Sequence, residues 1–466
     1  MMANVAEKKA VTQADSIVEK LVDYTQWLTY DKLTPETIHE VKRRVIDALG
    51  CAMGAYLGEP GKIARILAHS VEAPGYGATV LGSFHQSSPE MAAFANGLLM
   101  RYLDYNDTYL SLEPAHPSDN IAAVLALAEP EEANGQQIIT AITLAYEVQC
   151  RLCDAASIRA NGWDHVTYGA FSASLAAAQI LELDEEQTRH ALALAVTPNV
   201  TMRQTRVGEL SHWKGAAFAN ASRNAVFAAR LASYGMTGPS HIVEGEMAFQ
   251  KQVSGPFKLP ALGGEGDEFM INRTNIKFWP AEYHSQSAID AALQLRKEIG
   301  DISRIASIMV ESFDAAVDII GGEEEKWFPK SRETADHSLP YCVAVALMDG
   351  EVSQEQFDEK HLQDPVLSAL VQKIRMSRNA DLNKLYPEGI PNLLKITTTD
   401  GQTYSKQVTY PRGHAKNPMT DEEVEDKFRR QTAQVLSKIQ IDEILSDLWH
   451  LEEQDEIGSL LQIFAV

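Results

Sequence analysis

The sequence predicts a mainly α protein: a large helical domain, a smaller α+β segment inserted late, and a helical return that closes on the first domain. Three observations predict it. Apolar residues recur at three- and four-residue spacing through most of the first half of the chain. Near Gly255–Gly266 the texture changes: GPFKLPALGGEGDEF is rich in glycine and proline and loses the helical period. Beyond it helices alternate with strand-like runs, and LKITTTDGQTYSKQVTY reads as a hairpin centred on Asp400-Gly401. The boundaries drawn from these signs are residues 1–265, 266–411 and 412–466.

Taken in order, MMANVAEKKAVTQAD is polar and reads as a frayed start without a charged, apolar, small-residue leader, so the expected location is the cytoplasm. Thr34 is placed to cap a helix beginning at Pro35, whose apolar stripe is Ile38, Val41, Val45, Leu49 and Met53. Another helix follows Pro60, and ATVLG reads as one short strand. Ser88 and Pro89 open a helix that ends in RYLDYNDTYLSLEPAHPSDN, Arg101 to Asn120. Few loops carry so many ionisable and hydroxyl groups beside so many tyrosines. The next helix opens at Pro117, with His116 at its cap. A helix start presents free N–H groups and a positive dipole end, which suits a carboxylate. Asp104 and His116 are the candidate acid and base. Asp107, Ser118 and Asp119 read more simply as loop and capping residues.

NGQQIITAITLAYEVQCRLCDA is apolar round much of its circumference, as a central helix is. His165 opens the small-residue helix in NGWDHVTYGAF, repeating the placement of His116. Asp184 with Gln187 forms a capping box. Arg203, Arg206, His212 and Lys214 then precede a helix that stops at Gly235. Past the boundary, HSQSAIDAALQLRKEIG reads as a helix, RIASIMVESF as a strand and TADHSLPYCVAVALMDG as one helix. A capping box at Thr420 and Glu423 opens the amphipathic TDEEVEDKFRRQTAQVLSKI.

A chain of 466 residues, 45% hydrophobic and 23% charged, has the composition of a soluble globular protein. A net charge of −23 argues against nucleic acid and anionic membrane as partners, and no apolar run is long enough to span a bilayer. The same field opposes an anionic substrate, which therefore needs a local basic patch. Arg203, Arg206 and Lys214 form one. The four cysteines outline no disulfide framework, and Cys150-x-x-Cys153 lies inside a helical pattern with no second pair at zinc spacing. No metal or cofactor is expected.

Seven segments in order resemble the MmgE/PrpD family of 2-methylcitrate dehydratases, cis-aconitate decarboxylases and their relatives. They are LDYNDT, AHPSDN, DHVTYGAF, LSHWKGAAFANASRNAVFAA, FWPAEYHSQSAIDAA, TADHSLPYCVA and PRGHAKNPMT. The resemblance implies a large all-helical domain with a smaller inserted α+β lid, a homodimer, no cofactor, and a site between domain and lid. By the same resemblance the family's site residues fall on Asp104, Thr108, His116, His165, Lys214 and Tyr341. Decarboxylase members place a histidine where this chain has Gln286, and His284 stands two places earlier, as in dehydratase members. Residues two apart on a helix point about 200° apart, so a regular helix cannot aim both at one substrate.

The expected reaction is dehydration of citrate or 2-methylcitrate to a cis-aconitate-type alkene. Asp104, His116, His165, Lys214 and His284 are the expected catalytic residues. Thr108, Arg203, Arg206, Gln286 and Tyr341 are the expected substrate contacts. The alternatives are decarboxylation, epimerisation of a related carboxylate, or a non-catalytic helical scaffold.

Overall fold

The computed structural model describes residues 16–466; the polar stretch read as a frayed start lies outside them. Helices dominate, with few strands, and the apolar residues gather into two principal cores. The larger core is helical. The Gly135–Ala155 helix runs through its middle, and its apolar side chains Ile138, Ile142, Val148 and Leu152 are fully buried. Pro35–Gly54, Ile121–Ala128 and Gly169–Ile180 pack on it, and Pro89–Tyr102, Glu185–Val196 and Trp213–Ser233 pack on those in turn. Small residues allow this density: Gly97 faces Ala122 and Ala219, and an added β-carbon would stand 3.3 Å from each. The C-terminal helices Asp421–Thr432 and Lys438–Trp449 pack back on Pro35–Gly54.

The second core begins at Trp279, past the Gly266 boundary drawn from texture. Leu262, Phe269, Ile271 and Ile276 belong instead to the helical core. Glu147 of the central helix explains why: its carboxylate accepts from Gly263 N at 2.7 Å and Met270 N at 2.8 Å. The second unit is built on a four-stranded sheet in the order Ile374–Arg378, Ile305–Ser312, Asn392–Thr398, Thr403–Val408. The first pair is parallel and the others antiparallel. Asp400-Gly401 turns the last hairpin, with Gly401 at φ +84°. The Gln286–Ile299 helix packs on the last two strands and on the Leu339–Asp349 helix.

Two long helices read from sequence are broken. TADHSLPYCVAVALMDG divides into Arg332–Ala335 and Leu339–Asp349, with Ser338 capping the second through Tyr341 N and Pro340 in its first turn. The stretch after Thr420 stops at Thr432, and a new capping box at Ser437 and Gln440 starts Lys438–Trp449. No helix among the described residues is long and apolar enough to cross a membrane.

Candidate active site

The helix Pro89–Tyr102 delivers Arg101 at its last turn, and the chain then bends through Asp104 at φ +51°, a left-handed conformation that aspartate tolerates better than most residues. Asp107 and Thr108 next pair antiparallel with Ile276 and Asn275. This two-residue ribbon sets Lys277 against Asp104. Lys277 Nζ donates to the Asp104 carboxylate at 2.7 Å and to its backbone oxygen at 2.9 Å. Arg101 donates to the same carboxylate oxygen. On the other oxygen lie His337 Nε2 at 3.3 Å and Lys214 Nζ at 3.7 Å. Burial alone would raise the Asp104 carboxyl, but Arg101, Lys277 and Lys214 hold it well below the usual carboxylate range. A carboxylate so held is a poor base and a good organiser of cations.

Asp107 does a different task. Its carboxylate accepts from Ser118 N at 3.0 Å and Ser118 Oγ at 2.6 Å. The amide at the start of the Pro117–Asn120 turn is therefore filled by the protein, and the expected seat for a substrate carboxylate at this helix start is taken. His116 stands at the cap of this turn. Its Nδ1 lies 2.7 Å from the Asp107 carbonyl oxygen. A carbonyl only accepts, so Nδ1 carries the hydrogen and Nε2 keeps its lone pair. Burial, with Arg101 and Lys277 nearby, pushes the His116 pKa well below its ordinary value. His165 faces it with ring centroids 5.8 Å apart. Burial brings His165 down to about 3; its Nδ1 lies 3.3 Å from Asp164 Oδ1, and its ring nitrogens make no hydrogen bond among the described residues. Both imidazoles are neutral at neutral pH.

These groups surround a cavity of about 230 Å³ between the two cores. The helical side contributes Asp104, Thr108, His116, His165, Arg203 and Arg206, and the second unit contributes His284, Lys326 and His337. Arg206 and Arg203 reach Asp164 Oδ2 at 3.0 and 3.6 Å. His284 sits in a short 3-10 turn, Tyr283–Ser285, just before the regular helix. Its Nδ1 lies 2.6 Å from Glu282 Oε1; burial would raise the Glu282 pKa, but His284 together with His337 and Lys277 brings it below its ordinary value.

Three expected site residues lie outside the cavity wall. Gln286 is buried, with its amide spent on Trp279 N, Trp279 O and Ala281 O, so it locks the turn ahead of its helix and does not line the cavity. Tyr341 is packed in the second core and donates to Gln356 O at 2.6 Å. Lys214 stands behind His337, 3.0 Å from Asp336 Oδ1 and 3.2 Å from His337 Nδ1. Asp104, Asp336 and His337 cluster closely enough to hold a metal ion, but Lys214 Nζ lies among all three and supplies the positive charge there.

Arg101, Lys277, Lys326 and His337 are among the wall residues that the sequence alone does not single out. Arg101 looked like an ordinary helix end and Lys277 like a loop lysine before FWP. Lys326 was hidden in the charge run EEEK. His337 was placed inside a helix, although Ser338 two residues before Pro340 is a helix-start signature that breaks the run ahead of it.

Residues 19–261 match the MmgE/PrpD N-terminal domain and residues 279–451 match the C-terminal domain. The chain belongs to the MmgE/PrpD family. It is 28% identical to 2-methylcitrate dehydratase of Escherichia coli K12, over 86% of each chain. It is 29% identical to the enzyme of that name from Cupriavidus necator, over 85% of this chain and 86% of the relative. It is also 25% identical to human cis-aconitate decarboxylase, over 96% of this chain and 94% of the relative. The second family domain starts at the residue where the second core starts, Trp279. The two divisions part at the other end: the family's second domain runs on to residue 451, whereas the helices from Asp421 onward pack in the helical core.

Proposed function

We propose that the protein is a hydro-lyase that removes water from a citrate-like tricarboxylate, 2-methylcitrate or citrate, to give a cis-aconitate-type alkene. The observation that carries this reading is His116: a neutral imidazole with its tautomer fixed and Nε2 free, in a cavity ringed by cations. Dehydration needs a base for the carbon-bound proton, an acid for the departing hydroxide, and positive charge near the carboxylate that stabilises the developing carbanion. His116 Nε2 takes the proton. Its depressed pKa makes it a weak base in the empty site. A bound polyanion offsets the cations and strengthens it. His284 is the acid at the hydroxyl, because it lines the cavity and the Glu282 carboxylate fixes its ring through Nδ1. Arg203 and Arg206 offer planar forks suited to carboxylates. Asp104 holds Arg101 and Lys277 in place.

A second reading, decarboxylation, is favoured by the likeness to the human decarboxylase. Gln286 does not exclude it, since that side chain never reaches the cavity. The experiment is incubation with citrate, 2-methylcitrate and cis-aconitate, following alkene absorbance and CO₂ together. Alkene appearing from the hydroxy acids without CO₂ is expected. CO₂ from cis-aconitate at a comparable rate moves the protein to decarboxylation, and no turnover of any of the three removes the proposal.

A further inference from the structure

Four lysines among the described residues are at least 97% buried, and three are fully engaged. Lys214 is bonded to Asp336 and His337, Lys277 to Asp104, and Lys427 to the Tyr105 and Lys277 carbonyls beside Asp47. The fourth is Lys326. Its Nζ makes no hydrogen bond among the described residues, and its nearest carboxylate, Glu323 Oε2, is 4.0 Å away on a side chain 44% exposed. The side chain is 4% exposed, and its ammonium, with no hydrogen bond to any described residue, is left for an anion in the cavity to bond.

The placement of Lys326 shows where that anion would lie. It ends the short turn Glu324–Lys326 and lines the cavity on the side of the second unit. Its backbone oxygen accepts from Ser338 Oγ, which fixes Lys326 to the turn that carries Asp336 and His337. The cavity's other cations are already matched. Arg101 and Lys277 share Asp104, Arg203 and Arg206 share Asp164, and Arg159 lies 3.3 Å from Glu113. Four of those five belong to the helical side, with Lys277 at the join. Lys326 is the one lysine or arginine that the second unit presents to the cavity among the described residues.

We infer that Lys326 is a substrate-carboxylate anchor, so that a polycarboxylate spans the cavity from the arginines of the helical domain to Lys326 of the second unit. This rests on the proposed function for its substrate class. It adds that the second unit recognises the substrate's charge as well as supplying His284. A tricarboxylate has enough carboxylates to reach both walls at once, and such a bridge ties the two units together while substrate is bound.

Titration calorimetry with tricarballylate tests this, because that tricarboxylate lacks the hydroxyl and cannot be dehydrated. The proteins are the wild type, Lys326→Met, Lys326→Arg and Lys330→Met, the last removing an exposed lysine nearby. Lys326→Met should weaken binding roughly 10- to 100-fold, the range for one charged hydrogen bond. Lys326→Arg should keep most of the affinity, and Lys330→Met should stay within about twofold, as a screened surface charge does. Tricarballylate should also slow hydrogen exchange across residues 324–338 in the wild type and not in Lys326→Met. Unchanged binding in Lys326→Met overturns the inference, and so does an equal loss in Lys330→Met, which would report the general field. If the wild type turns over a tricarboxylate and Lys326→Met still binds tricarballylate normally, only the anchor is wrong. If the wild type neither turns over nor binds any tricarboxylate, the proposed function falls with it.

Discussion

At the scale of residues, the site separates groups that move protons from groups that hold them in position. His284 reaches the cavity and Gln286 does not, so the two substitutions should fail differently. His284→Ala should lower kcat by about 10²–10⁴-fold, the usual share of an acid–base group, with little change in melting temperature. Gln286→Ala should destabilise the protein by roughly 1–3 kcal/mol, because it strands the Trp279 and Ala281 backbone groups, and should leave kcat nearly intact. A kcat loss in Gln286→Ala equal to that of His284→Ala, at normal stability, would contradict this assignment. His165 allows a test by pH. Its folded pKa, about 3, lies below the ordinary 6.5, so between those values the unfolded chain binds a proton that the folded chain refuses. The wild type should therefore lose stability relative to His165→Asn as pH falls from 6.5 toward 3, by up to about 1.4 kcal/mol per pH unit. Urea denaturation of both proteins at pH 7.5, 6 and 5 measures it; a constant difference would mean that His165 takes up its proton equally in the folded and unfolded chain. Asp104, His116 and the two arginines were legible as candidates because side-chain chemistry clusters in sequence there. Their roles were not, because Asp104 is defined by Lys277, which lies far away along the chain.

At the scale of elements, caps and turns were legible where the signal is local. Thr34, Asp184 and Thr420 cap the helices that their spacing announces, and Asp400-Gly401 makes its hairpin. What a single sequence conceals is packing between distant segments. The stretch after Gly255 reads as a domain boundary because it lacks periodicity, yet Glu147 pins it to the helical core. The return at Pro411–Gly413 has the composition of a hinge, but Ile276 N donates to Gly413 O at 3.0 Å and Gly413 N donates to Asn417 O at 2.9 Å. Gly413 has φ +91°, and a β-carbon there would overlap the Ile276 carbonyl oxygen. Gly413→Ala should then cost more than about 1 kcal/mol of stability, beyond the ordinary glycine-to-alanine effect. It should also raise KM for substrate, because the ribbon it disturbs is the one that aims Lys277. Normal KM in a destabilised Gly413→Ala would show that the ribbon tolerates the shift without moving Lys277.

At the scale of the whole molecule, the helical domain and the second unit meet through charge as much as through apolar packing. Lys214 belongs to the helical core, Asp336 and His337 to the second unit, and Asp104 lies opposite them. Lys214 is completely enclosed and stands between two carboxylates, Asp104 and Asp336. Burial would raise the Asp336 pKa, but Lys214 and His337 hold it low. Removing one member of such a cluster leaves the others buried without compensation, which costs about 3–5 kcal/mol. Lys214→Met should therefore destabilise the protein by that amount, measured by urea denaturation at neutral pH. Asp336→Asn in the same background removes one of the uncompensated charges. The double variant should recover part of the loss, giving a non-additive cycle of the size expected for groups in contact. Activity should not return with stability, because Lys214 and Asp336 together fix His337, which faces the cavity. Additive losses in the cycle, or a Lys214→Met protein as stable as the wild type, would mean that this cluster does not hold the two units together, and the coupling between domain packing and site geometry would have to be sought elsewhere.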